Sequence, residues 1–458
     1  MKQRITIFTL ACFVFSIFLQ AGPAMAQEPD LANLVRALQK QMSDLQAIVQ
    51  AQNSELQVLK ADIKMSPSGV EAAQNPPMTE AEFKDHLHKA TGGADKWLDG
   101  LKFKGDVRMR FEPTSNSRAT ASDVNRFRFR LRFGFEKIFN EEWKAGFRLA
   151  SGGTTDPTST NQTFDNAFAN KTITIDRAYG IYTPQWALRG PINNVEIGVG
   201  KVENPLSDVH SWLVWDGDVT PEGLYEKASV RLLETKHVTT DLECLGTQFI
   251  INEGNGNSAD AELFGFSFGL RNKFTHEKLK HPIEFRTYAN YELSRDFANV
   301  AQNGLLGGVN TRNNYFTNGN NTGDLGVLSF YHELGWKIDP LPKFKLFFEH
   351  GQNTDAHMSK DQYRHLWVAG AKIGKAKKKG DWELSYTYGW LEANSTFSVW
   401  ADSDFGFTDR RGSVFKAGYA VTDFLTLNGS AFFTNAIDTS ARGDNDQRLF
   451  QVDLVWKF

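Results

Sequence analysis

The chain has 458 residues, of which 41% are hydrophobic and 13% aromatic, and it carries a formal charge of −3 with only two cysteines. This length and apolar content exclude a disulfide-stapled mini-domain and a disordered chain. The mean hydropathy of −0.42 is too polar for a helical membrane protein, although the chain contains 36 Phe and 38 Gly. A polar average with many aromatic residues is typical of strands that alternate between an apolar face and a polar face.

The first 26 residues predict a secretory signal peptide. Lys2 and Arg4 precede an apolar run from Ile5 to Leu19, and Ala24-Met25-Ala26 forms a small-residue cleavage site. The run is shorter than the roughly 20 apolar residues that a retained membrane anchor requires. Cys244 is the only cysteine after it, which excludes an internal disulfide, a cysteine zinc site and a haem-attachment motif. We therefore expect an exported protein with no cofactor.

Residues 27–64 predict a periplasmic coiled coil that mediates oligomerisation. One heptad register places apolar side chains at nine of its ten core positions, and the flanking positions are rich in Gln, Lys and Asp. The nine residues are Leu31, Val35, Leu38, Met42, Leu45, Val49, Leu56, Leu59 and Ile63. A single amphipathic helix packed on a domain is the alternative. Residues 65–100 change to a Pro- and Ser-containing composition and predict a linker with a short helix.

From Leu101 to Phe458 the hydrophobic pattern has a period of two residues. In Val124–Phe135, four arginines alternate with three phenylalanines and a leucine, so a strand here has one cationic face and one apolar face. Lipid outside and water inside satisfy both faces at once. The pattern predicts sixteen strands, beginning near residues 101, 124, 143, 172, 193, 224, 238, 262, 283, 327, 344, 365, 381, 412, 425 and 447.

The connections favour a transmembrane barrel over a soluble β-propeller. Connections after even-numbered strands are mostly short, whereas those after odd-numbered strands are mostly long. Short periplasmic turns alternating with long external loops are typical of bacterial outer-membrane barrels, and closure leaves no unpaired backbone edge in lipid. The expected fold is all-β: a 16-stranded antiparallel transmembrane β-barrel over residues 101–458, preceded by the coiled coil.

Three segments carry a family resemblance: Arg130–Gly134, Phe147–Thr163 and Trp215–Gly223. They resemble the putative porin family of Gram-negative outer-membrane proteins, and the resemblance covers Leu101 to Phe458. It implies a diffusion channel in the outer membrane. Phe458 is similar to the aromatic signal that barrel-assembly machinery recognises.

The inward faces of the first three strands are predicted to form a basic wall of the pore. The candidate pore-lining residues are Lys102, Lys104, Arg108, Arg110, Arg126, Arg128, Arg130, Arg132, Lys144 and Arg148. Such a wall would raise the local concentration of anions and favour their passage. The alternative is a solvated pore lining that confers no selectivity.

The connection over residues 204–223 is the candidate constriction loop. Its acidic residues are Asp208, Asp216, Asp218 and Glu222. By its ordinal position it resembles the loop that folds into the barrel of trimeric sixteen-stranded porins, where acids face a basic wall. An exposed acidic loop, or a cation site at Asp216 and Asp218, is the alternative, although two carboxylates alone do not form a calcium site.

Catalysis is not predicted. Gly265–Gly269 matches the G-x-S-x-G pattern of serine hydrolases, but it lies within an alternating strand and not at a strand-to-helix elbow. The barrel histidines have no regular ligand spacing. The expected function is passive diffusion of small hydrophilic solutes through a homotrimer in outer-membrane lipid. A channel selective for phosphate or organic anions, and a structural barrel that surrounds or tethers a periplasmic or peptidoglycan partner, remain the alternatives.

Overall fold

The computed structural model describes residues 100–116, 123–254, 260–297, 314, 324–337, 339, 341–355, 363–442 and 445–458. The predicted signal peptide and coiled coil, and the linker before Gly100, lie outside these residues. Among the described residues, no helix has the length and apolar character needed to cross a membrane.

Seventeen strands occur in the described chain, and each long one follows the period-two pattern. Their bounds are β1 Leu101–Asn116, β2 Val124–Ile138, β3 Trp143–Ser151, β4 Gln162–Thr163, β5 Ile173–Tyr182, β6 Ile192–Lys201, β7 Glu222–Glu234, β8 Val238–Asn252, β9 Ala261–Phe274, β10 Ile283–Arg295, β11 Gly326–Trp336, β12 Phe344–Asn353, β13 His365–Gly374, β14 Trp382–Leu391, β15 Arg410–Ala420, β16 Leu425–Ala436 and β17 Gln447–Lys457. Within the described residues, one short α-helix, α1, spans Thr439–Arg442, and 3-10 helical turns span Asn166–Phe168, Gln185–Ala187, Pro205–Asp208 and Ser398–Trp400.

All strands belong to one antiparallel sheet that closes on itself. Each barrel strand pairs with its neighbours in sequence, and β1 pairs with both β2 and β17, which completes the ring. The two-residue β4 is the exception: it continues the pairing of β2 beyond the point where β3 ends. Without β4 the ring has sixteen strands. The predicted sixteen-stranded antiparallel barrel is therefore confirmed.

The two faces of the strands divide as the alternation predicts. Phe264, Phe266 and Phe268 of β9 point outward, and Phe266 and Phe268 are 49% and 60% exposed. Ser267, between them, points inward and is buried. Because Ser267 lies in the middle of a regular strand, the G-x-S-x-G match lacks the elbow on which the hydrolase motif depends.

The connections alternate in length around the barrel. Short connections join β2 to β3, β7 to β8 and β15 to β16, whereas the long ones include 152–172, 202–221 and 392–409. A hydrophobic cluster inside the barrel joins two of these long connections to its wall. Leu206, Leu213 and Trp215 of 202–221 and Phe397 and Phe405 of 392–409 belong to it. Part of the barrel interior is therefore packed protein, which leaves the polar faces to line the remaining space.

Candidate functional site

The arginine rows of β1 and β2 lie side by side on the inner wall. In the antiparallel register Arg108 is opposite Arg130 and Arg110 is opposite Arg128. The alternating phenylalanines of the same strands point outward, and Phe103 and Phe127 are more than half exposed. Strand pleating alone thus places the arginines together, because side chains two residues apart share a face.

Carboxylates interleave with the arginines and neutralise much of their charge. Asp106 of β1 accepts hydrogen bonds from Arg130 Nε and Nη2 at 2.9 and 2.7 Å and from Arg132 Nε at 2.7 Å. Asp453 of β17 accepts a bidentate pair from Arg110 at 2.7 and 2.9 Å. Bidentate arginine–carboxylate pairs fix geometry as well as charge. These guanidinium groups are therefore held in place.

Glu112 lies among three arginines of the rows, and its side chain has no exposed surface. It pairs with Arg126, lies 3.4 Å from Arg110 Nη1 and 3.5 Å from Arg128 Nη1, and accepts from Gln451 Nε2 at 3.2 Å. Arg126 is 40% exposed, and the side chains of Arg108, Arg110, Arg128, Arg130 and Arg132 are 20% exposed or less. Arg126 therefore presents the most accessible charge of the rows.

The remaining predicted basic residues also lie on the inner wall. Arg148 of β3 pairs with Asp176 of β5, and Lys144 is 3.9 Å from Glu196 of β6. Lys102 and Lys104 share the inward face of β1 with the arginine row and are exposed. All ten residues of the predicted wall thus share one face of the barrel, although eight of them form ion pairs with carboxylates.

Connection 202–221 enters the barrel and contacts inward-facing side chains of several strands. Trp212 Nε1 donates to Thr387 Oγ1 of β14 at 3.3 Å, and Asn290 Nδ2 of β10 donates to the Val209 carbonyl at 2.9 Å. On the opposite side, Arg132 Nη1 of β2 donates to Asp218 Oδ1 at 3.3 Å. The connection therefore spans the interior between the β10–β14 wall and the arginine rows.

The four predicted acidic residues have different surroundings. Asp218 reaches Arg132, whereas Asp208 pairs with Lys227 of β7 at 2.9 Å and Glu222 pairs with Lys201 of β6 at 2.9 Å. Asp216 is buried and accepts from the Asp218 N–H at 2.8 Å. Burial, together with repulsion from Asp402 and Asp218, raises the pKa of Asp216 well above its ordinary value. Of the four, only Asp218 contacts the arginine rows.

A second connection, 392–409, supports the first. The Asp216 N–H donates to the Trp400 carbonyl at 2.8 Å and the Asp402 N–H to the Leu213 carbonyl at 3.2 Å. The rings of Trp215 and Trp400 stack with centroids 5.4 Å apart. Burial raises the pKa of Asp402 to about 7, with Lys416 opposing the rise and Asp404 adding to it.

The Ser/Thr/Asn-rich connection 152–172 lies against the arginine rows. Asn161 Oδ1 accepts from Arg108 Nη2 at 2.5 Å, and Ser159 Oγ is 3.5 Å from Arg128 Nη2. Thr160 Oγ1 is 3.4 Å from Asp218 Oδ2, so this connection and 202–221 meet at the rows. Hydroxyl and amide groups here supply uncharged hydrogen-bonding partners beside the guanidinium groups.

Several residues of the site were missed from sequence. Glu292 and Glu349 bind His210, and Asp404 lies 3.4 Å from Arg110 Nη1. The period-two alternation of β10 and β12 places Glu292 and Glu349 on inward faces, and this is the one indication of their role that the sequence contains. No local pattern indicates that a loop histidine from more than eighty residues away lies between them.

Several solved structures are similar to this one at low sequence identity. The structure is similar to OprB of Pseudomonas putida (11% identity, TM-score 0.47, 81% of this chain and 97% of that chain). It is also similar to OmpF of Salmonella typhi in complex with daunomycin (12%, 0.46, 79% and 99%). A third similar structure is a triple mutant of the Rhodopseudomonas blastica porin, with 9% identity and a TM-score of 0.39; the similarity covers 78% of this chain and 100% of that chain. No curated protein matches the sequence.

A family model described as "putative porin" matches residues 112–333, which contain most of the arginine rows and the whole of connection 202–221. The match and the closed barrel support a channel in the bacterial outer membrane rather than an enzyme. Residues 112–333 are therefore similar to the putative porin family, in agreement with the resemblance that the sequence motifs carry.

Proposed function

We propose that the protein is a water-filled outer-membrane channel for passive diffusion of small hydrophilic solutes and ions, with a modest bias towards anions. The observation that carries the bias is the charge balance of the arginine rows. Six arginines, 108, 110, 126, 128, 130 and 132, share ion pairs with five carboxylates, 106, 112, 218, 404 and 453. The excess is positive, and the exposed Arg126 carries it towards the space within the barrel.

Connection 202–221 is proposed as the constriction, because it lies between the arginine rows and the opposite wall. Asp218 forms an ion pair with Arg132 at 3.3 Å, so acidic groups of the connection lie directly against the basic rows, and solutes pass beside this pair. Neighbouring charges of opposite sign orient polar solutes, and the narrowed space favours small ones, since permeation depends on pore width and on the charges that line the pore.

The test is ion selectivity in planar bilayers. Arg126→Gln/Arg128→Gln removes two positive charges while leaving the Arg130–Asp106 pair intact. We expect its reversal potential in a KCl gradient to move towards cation selectivity. Lys372→Gln is the matched control, because Lys372 of β13 is a basic residue that pairs with Glu383 of β14. This variant should shift the reversal potential less. An unchanged reversal potential in the double variant would contradict the proposed anion bias.

Solute identity is tested separately by replacing chloride with phosphate and with organic anions. A general diffusion channel should rank these anions by size, whereas a substrate-selective channel should bind one of them and show block by it.

The homotrimer and the periplasmic placement of residues 27–64 are also proposed, on the strength of the heptad register. Crosslinking of the full chain in membranes tests the trimer.

A further inference from the structure

His210 lies in connection 202–221 with its ring buried between two carboxylates. Its Nε2 is 2.8 Å from Glu292 Oε1 on β10, and its Nδ1 is 2.6 Å from Glu349 Oε1 on β12. The three side chains are no more than 2% exposed. A neutral imidazole has one donor and one acceptor nitrogen, so it cannot donate to both carboxylates. With both carboxylates ionised, this geometry requires an imidazolium that donates from both nitrogens.

The backbone around His210 is attached to the same wall. The Ser211 N–H donates to Glu349 Oε2 at 2.6 Å, and Asn290 Nδ2 donates to the Val209 carbonyl at 2.9 Å. Arg286 Nη2 donates to the Asp208 carbonyl at 3.2 Å. Four consecutive residues of the connection are thus held by inward-facing groups of β10 and β12.

The charges facing the imidazole are acidic. Glu292 faces it from β10 and Glu349 from β12, while β11 contributes the neutral hydroxyl of Ser329, 3.5 Å from Nδ1. Burial alone would lower the pKa of His210, but the two carboxylates outweigh burial and raise the pKa to about 10. The ring is therefore charged at neutral pH.

We propose that the His210 imidazolium is the positioning residue that holds connection 202–221 against the β10–β12 wall and thereby sets the bore of the pore. This inference rests on the proposed channel function. Without the cation, Glu292 and Glu349 would be two buried carboxylates with no counter-charge, which is strongly unfavourable. The carboxyl groups then take up protons or become hydrated, and in either case the connection loses the two ion pairs that hold it against the wall. Asp218, on the same connection, would lose its place opposite Arg132.

The test compares single-channel conductance of the full chain in planar bilayers. His210→Asn removes the charge, and His210→Asn/Glu292→Gln/Glu349→Gln removes both the charge and the need for it. His276→Asn, at an exposed turn between β9 and β10, is the matched control. We expect about a twofold rise in conductance and added current noise for His210→Asn, because loop position sets pore width. The triple variant should return to the wild-type conductance, and the control should not differ from wild type.

Two results would overturn this role. One is wild-type conductance in a His210→Asn barrel that assembles, as judged by its heat-modifiable migration on gels. The other is a triple variant that keeps the enlarged conductance, since shape and not charge would then hold the loop. If His210→Asn does not assemble, Glu292→Gln, which removes one of the two anchors, replaces it, and unchanged conductance there also overturns the proposal. Wild-type protein that forms no channel would instead contradict the proposed function.

Discussion

Glu112 offers the most direct test of the proposal that the arginine rows set selectivity. Its side chain is fully buried and contacts Arg126, Arg110 and Arg128. Glu112→Gln keeps the shape and one hydrogen-bonding oxygen but removes the negative charge from the centre of three guanidinium groups. We expect the variant to favour anions more strongly than wild type.

The magnitude follows from Coulomb's law. An anion that passes about 5 Å from one newly unbalanced charge gains about 0.8 kcal/mol in water-like surroundings. That energy corresponds to about a fourfold change in relative permeability. Screening with a Debye length of about 10 Å at 0.1 M salt reduces the change to about twofold. A change between these limits is therefore expected, and it should grow as the salt concentration falls.

The assay is the reversal potential in a KCl gradient at two ionic strengths. Glu383→Gln is the matched control. It removes an inward-facing carboxylate that lies away from the arginine rows and pairs with Lys372 at 3.1 Å. A Glu112→Gln channel whose selectivity is unchanged, or is altered no more than in the control, would refute the assignment of selectivity to the arginine rows. Heat-modifiable migration verifies that each barrel has folded, since loss of a buried counter-charge also costs stability.

Two further predictions concern the loops and the barrel wall. Because the pKa of Asp402 is raised to about 7 in the folded loop, the packing of 392–409 should weaken as pH rises through about 7. Current noise should therefore increase over that range in wild type, and a pH dependence that persists in Asp402→Asn would contradict the assignment. Gly200 has φ +113° and a Cβ there would lie 2.3 Å from the Ala178 carbonyl, so Gly200→Ala should lower the temperature at which the barrel unfolds. Gly180→Ala, where a Cβ would meet nothing nearer than 4.0 Å, should be neutral, and equal effects in both would refute the strain argument.

The strand pattern was predictable because it depends on local chemistry alone. A period of two fixes which side chains share a face, so Arg126 to Arg132 and the intervening phenylalanines separate without knowledge of any partner. The sixteen strands and the alternation of connection lengths follow from the same pattern. β4 was not predictable, because two residues are too short for periodicity to register.

The charge balance of the site was only partly predictable. Asp106 and Glu112 alternate with the arginines of β1, so their inward direction was evident from sequence. Asp453, more than 340 residues from Arg110, becomes its partner only because the barrel closes between β1 and β17. Closure brings the two ends of the domain together, and no local pattern encodes that pairing.

The sequence by itself therefore determined the barrel: which residues face lipid, which face the interior, and where the basic rows lie. Only the tertiary structure decided what those rows meet. Connection 202–221 crosses the interior to place Asp218 at Arg132 and His210 between Glu292 and Glu349. The physical reason is that strand faces follow from residue-to-residue alternation, whereas the position of a loop depends on long-range pairing of buried charges and on apolar packing across the closed barrel.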